Sequence, residues 1–288
     1  MRKDTDIRAG RSRIREDDTL QTGKRAYVSM ILLLLAVISM TAATAAWFTI
    51  ADHTKVQSMS LEIYSGASLR FDLEPHQTLE EYTKTLSFDE IYSRIVQETG
   101  MDEKELDLEP VTTSDYSVFT LENGSRTARQ EGKYLEFTLH FMAAEDMVVH
   151  LTSENSEGRE DGTGIFSETP GLAEAMRISF TAGDHTAVYD PGGMDERLGS
   201  QASSSGHTFH LPEPDDMVYN DENALFSLSA NQDLPVTVHI WLEGTDEACT
   251  DSLRSAEYSI RLRFEGTDTA NRRLDGTDSR PETEQTEE

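Results

Sequence analysis

The densest group of residues able to do chemistry is "EGTDEACTD", residues 243–251. Glu243, Asp246, Glu247 and Asp251 crowd four carboxylates into one short stretch. Hard oxygen donors at that density suit Ca²⁺. The spacing is not that of an EF-hand loop, and a solvated acidic turn is the competing reading in a chain with 54 Asp and Glu. Cys249 lies in the same stretch and is the chain's single cysteine, so no intramolecular disulfide can form. It is either an inert thiol or half of an intermolecular bridge. His207 and His210 form H-x-x-H beside an alternating segment. Two imidazoles need further ligands to hold a metal, and the sequence identifies none. His140 and His239 fall at outward positions of alternating segments, where solvent is expected. No G-x-S-x-G elbow, P-loop, H-E-x-x-H or C-x-x-C occurs. The expectation is a non-enzymatic protein without a cofactor, calcium at the acidic loop being the one candidate ligand.

Charge narrows the partners. Net charge is -29, but residues 1–46 hold eight Lys/Arg against five Asp/Glu, about +3. The remainder holds 17 against 49, or -32. Such a body repels nucleic acid and anionic lipid, and favours cationic partners or divalent ions.

The elements that would position these residues begin with a polar, basic segment over 1–25. An uninterrupted apolar run follows from Ala26 to Ala51, centred on "MILLLLAVISM". Basic, apolar, then small is the order of an export signal, with the basic side cytoplasmic. Tyr27 and Trp47 are 20 positions apart, about 30 Å of helix, enough to span a bilayer. Tyr27 would then mark the inner interface, and Trp47 with Phe48 the outer one. Ala43-Thr44-Ala45 is also an A-x-A site, so signal peptidase could cut around Ala45, Ala46 and Trp47. The segment is therefore an uncleaved membrane anchor or a cleaved signal. "LPVTV" at 234–238 sits inside a strand pattern and resembles a sortase signal only in part, so sortase anchoring is not expected.

After Asp52 the period becomes two. Seven segments alternate: 56–65, 133–142, 146–153, 176–182, 225–230, 234–243 and 257–265. Shorter candidates lie near 68–73, 115–121, 186–190 and 207–211. Leu135, Phe137, Leu139 and Phe141 share one face, as do Tyr258, Ile260, Leu262 and Phe264. This predicts a mainly β ectodomain over 52–265, an antiparallel sandwich or jelly roll. Ala143–Asp146 reads as a hairpin connection. Residues 78–98 read as a helical insertion of two helices, the second with a Ser87/Glu90 capping box and Gly100 as C-cap. The stretches 153–171 and 190–206 read as polar loops, and 266–288 as a disordered acidic tail.

The order of an apolar helix, small residues, "AWFT", a polar spacer and "KVQSMSLEIYSG" resembles the TasA/camelysin-like exported proteins of Gram-positive bacteria, substrates of SipW-type signal peptidases. The resemblance covers 26–66, with weaker support over 219–266. It implies a jelly-roll body and a structural role in biofilm or envelope, with signal peptidase, membrane lipid and other surface proteins or further copies as partners. Residues 47–63, once freed, would be the strand donated to a neighbouring copy. The alternative expectation is a single-pass anchored binding module that uses its acidic, calcium-dependent loops.

Overall fold

The computed structural model describes residues 58–65, 68–101, 108–192, 206–253 and 256–274, together with Met30. The chain divides after Ile50, and the fold below belongs to the unit from Ala51 onward. Apart from Met30, the apolar run 26–51, with Tyr27, Ala45, Ala46, Trp47 and Phe48, lies outside the described residues, as does 275–288. Among the described residues no helix is long and apolar enough to cross a membrane.

The body is mainly β. The first part of the chain carries β1 (Ser58–Ser65), β2 (Leu69–Asp72), β3 (Thr85–Ser87), helix α1 (Phe88–Thr99), β4 (Pro110–Thr113), β5 (Phe119–Leu121) and β6 (Arg126–Thr127). The long β7 (Leu135–Ala143), β8 (Met147–Leu151), β9 (Gly164–Ser167), the single turn α2 (Leu172–Ala175), β10 (Met176–Ala182), β11 (His185–Tyr189) and β12 (Gly206–Phe209) follow. The body closes with β13 (Ala224–Leu228), β14 (Leu234–Glu243) and β15 (Glu257–Thr267). One sheet has the order β13-β8-β15-β1-β3, with β9 also on β15. The other runs β12-β11-β10-β14, and beyond β14 it continues as β7-β2 and as β4-β5-β6.

Alternation explains the packing between the sheets. Both predicted apolar faces, Leu135 to Phe141 and Tyr258 to Phe264, are buried. Phe264 on β15 meets Phe71, Phe141 and Phe180 from the other sheet at 6.1, 5.0 and 5.6 Å between ring centroids. Edge-to-face rings at these distances add to burial worth about 1.5–3 kcal/mol for each phenylalanine.

Several expectations are corrected. The sheets are mixed rather than wholly antiparallel: β1 lies parallel to β15, β12 to β11 and β4 to β14. None of these pairs is joined by a tight turn, so no hairpin imposes the antiparallel sense. Ala143–Asp146 is no hairpin, because β7 and β8 belong to different sheets. That connection is a corner, held where Ala230 N–H donates to Asp146 Oδ1 at 2.8 Å and Asn231 N–H to the Ala143 carbonyl. The first expected helix is a single 3₁₀ turn, Leu79–Glu81. It stops where the buried Tyr82 donates its hydroxyl to Asp233 at 2.7 Å. The second is α1. Ser87 N–H donates to Glu90 at 2.8 Å, Gly100 closes it at φ 70, and Ile91 and Ile95 face the core. The expected loop 153–171 contains β9, paired to β15. The ordered body also passes 265: β15 runs to Thr267, then Asp268–Leu274 folds back. Arg273 ion-pairs with Glu154 at 2.7 Å and with the buried Glu265 at 3.2 Å.

Candidate functional site

The four carboxylates of the acidic loop do not converge. Glu243 ends β14 and is buried; it accepts from Trp241 Nε1 at 3.0 Å, Thr245 N–H at 3.1 Å and Thr245 Oγ1 at 2.7 Å. Asp246 pairs with Arg177 on β10, whose guanidinium is 2% exposed and also meets the fully buried Asp190 at 3.2 Å. Glu247 and Asp251 are on the exposed side of the loop. Among the described residues no group of three or more His, Cys, Asp or Glu is disposed to hold a metal ion. Cys249 is 5% exposed. Burial, with Asp246 and Glu243 adding, pushes its thiol up to about 12. A thiol that protonated and that covered is inert, so the intermolecular bridge is set aside.

His239 is not solvated. It lies in a second core that covers the outer face of the nine-stranded sheet, built from Val111, Phe119, Tyr134, Val188 and Trp241. Its ring sits 5.2 Å from that of Phe119 and 6.0 Å from that of Tyr134. Ser179, His239 and Glu136 stand in one cross-strand row, with Ser179 Oγ 3.3 Å from His239 Nδ1 and Glu136 3.4 Å from Nε2. The hydrogen bond from His239 holds the Glu136 carboxyl below the usual carboxylate range. The residue types are those of a hydrolytic triad, but the second core shields Ser179 from solvent. The row thus pairs polar groups from the buried Ser179 out to the partly exposed Glu136. His140 is half-buried against Asp233, 2.9 Å away. The signal for this second core was the unbroken "IWLE" at the end of β14, where both faces are apolar.

Sequence reasoning missed an opening on the β body. Among the described residues, β12 and β13 are outermost in their sheets, and both lie on the same side of the body. Between them, and along the connection from His210 to Asn223, runs a groove of about 650 Å³ that continues into a space of about 450 Å³. Phe209, Pro212 and the exposed Val218 give it apolar walls; Asp221 and Glu222 stand at its rim. His207 borders both spaces, its ring 5.4 Å from that of His185. Its Nε2 is shut off from solvent and, among the described residues, has no hydrogen-bond partner. Burial, reinforced by His185, pulls the His207 pKa below the usual imidazole value. His210 is exposed on the same wall, so the H-x-x-H residues sit in the groove without forming a metal centre.

β12 also carries strand-pairing capacity. Asp190 N–H donates to the Phe209 carbonyl at 2.9 Å, which turns the peptide groups of His207 and Phe209 toward β11. By the alternation of a parallel ladder, those of Gly206 and Thr208 turn the other way. The groove thus offers apolar walls, two carboxylates and a strand edge. In comparisons with known proteins, no family model, curated protein or solved structure matches this chain.

Proposed function

We propose that this is an exported, non-enzymatic surface protein of a Gram-positive bacterium whose β body takes a structural part in matrix or envelope. The basic–apolar–small order of residues 1–51 supports export, and the resemblance to TasA/camelysin-like proteins supports the matrix role. In this reading the body is a jelly-roll-like sandwich. The apolar segment over 26–51 tethers it, or signal peptidase releases it near Ala45, Ala46 and Trp47.

One observation carries the structural role. The first strand after the apolar run, β1, occupies an interior seat, parallel to β15 over eight residues and antiparallel to β3. Cleavage near Trp47 would place β1 close to a free end, and an interior strand so placed can leave its slot without rethreading the fold. The same slot in a neighbouring copy can then accept it. The residues expected to be donated, 47–63, thus overlap a strand that completes its own sheet in the single chain.

The test is the N-terminal sequence and intact mass from the native host, in membrane and medium fractions, followed by electron microscopy of the released form. A start at Ala46 or Trp47 with fibres in the medium is the expected result. A full-length, membrane-held monomer overturns it. The groove at β12 favours a second reading, a membrane-anchored binding module, which that outcome would promote.

A further inference from the structure

We infer that the groove between β12 and β13 binds an extended peptide segment of a partner protein, with basic and apolar residues alternating, added as a strand along β12. The inference rests on the groove being a binding site, and not on exchange of β1.

Three independent features converge. The peptide groups of Gly206 and Thr208 face away from β11 and, among the described residues, no strand pairs with that edge. An unpaired edge beside a groove is the requirement for strand addition, where main-chain bonds give affinity and alternate side chains give selectivity. The walls are apolar where an alternate side chain would enter, at Phe209, Pro212 and Val218, the last 63% exposed. The fixed charges among the lining residues are Asp221 and Glu222, with no Lys or Arg. A strand with outward lysines would therefore meet complementary charge. An acidic strand would meet repulsion, which rules out most of this chain's own body as occupant, given its -32 beyond residue 46.

The experiment uses the full chain in detergent at about pH 8, above the imidazole range. A fluorescent Lys-Val alternating peptide of about six residues, a common strand length, is titrated by anisotropy against a Glu-Val control. Thr208→Pro removes the outward N–H while leaving the bonds of His207 and Phe209 to β11. The paired change Asp221→Lys with Glu222→Lys reverses the rim without touching the core. Saturable binding of the Lys-Val peptide, weakened about tenfold by each variant, about 1.4 kcal/mol, is expected. Circular dichroism checks that both variants stay folded. Absence of saturable binding overturns the inference, as does equal binding of the Glu-Val peptide or unchanged binding by the rim variant. So does a β12-mediated dimer that takes up no peptide. Fibre formation by the same variants is read separately: lost peptide binding with intact assembly sinks the groove alone, and the converse sinks only exchange of β1.

Discussion

Two acidic regions of this chain look alike as sequence and differ as structure. Around 243–251, Glu243 and Asp246 turn inward and are taken up by Trp241, Thr245 and Arg177. Around 221–222, Asp221 and Glu222 stand exposed at a groove. A carboxylate becomes structural when a donor reaches it in a place water cannot. It stays available for a partner when no such donor does. Density of acidic residues cannot tell the two apart, because the donors are far away in the chain: Arg177 lies on β10, 69 positions from Asp246.

The strongest way to break this contrast is Arg177→Met. The guanidinium is 2% exposed and serves the wholly buried Asp190 as well as Asp246. Removing it leaves an uncompensated buried charge, so the expected loss is about 3–5 kcal/mol, read from the midpoint of urea unfolding. A change below about 1 kcal/mol would mean that water reaches Asp190 after all, and that the loop is less structural than its burial indicates. Glu243→Gln comes next. It keeps the volume but turns one acceptor into a donor facing Thr245 N–H, with an expected loss of about 1–3 kcal/mol in the same assay.

The faces of the sheets were legible in the sequence because alternation reports which side of a strand is buried. Leu135 to Phe141 and Tyr258 to Phe264 show this. So were the caps of α1, since Ser87, Glu90 and Gly100 act within a few residues of each other. Strand partners were not legible. Period two says nothing about which neighbour accepts a ladder bond, so the corner at 143–146 reads as a hairpin and parallel β1 reads as antiparallel. His239 reads as solvated because its cover, Phe119 and Tyr134, comes from a segment more than a hundred residues earlier. The groove was illegible for the same reason. His207 and Glu222 are 15 positions apart, and it takes the connection from β12 to β13 to bring both to one groove.

A pH series sharpens the contrast with a buried group that must stay neutral. His150 is fully buried, its Nδ1 2.9 Å from Asn223 Oδ1 and its Nε2 3.1 Å from Thr267 Oγ1. Burial pulls its pKa below the usual imidazole value, against the opposing effect of Asn223. The unfolded chain then binds a proton at a higher pH than the folded one does. Stability is present above the ordinary histidine value and is lost as pH falls from there toward the lowered folded value. His207, shifted in the same direction, adds to the same window. Unfolding midpoints should therefore drop across mildly acidic pH, and His150→Gln should flatten that drop. An equal slope in the variant would assign the loss to other groups.

The smallest expected effect is the most discriminating. Asp221→Asn with Glu222→Gln changes two exposed side chains, so the unfolding midpoint should move by no more than about 0.5 kcal/mol. The same isosteric change in the other region, at Glu243, is expected to cost several times that. If the rim pair proved equally costly, Asp221 and Glu222 would be structural acids like Glu243, and the groove would lose its complementary charge. If stability is unmoved while uptake of a basic strand weakens, the pair is held at the rim for a partner rather than for the fold. Salt then gives an independent check, because attraction at an exposed rim is screened beyond about 10 Å at 0.1 M, whereas the Arg177–Asp190 pair is shielded from such screening.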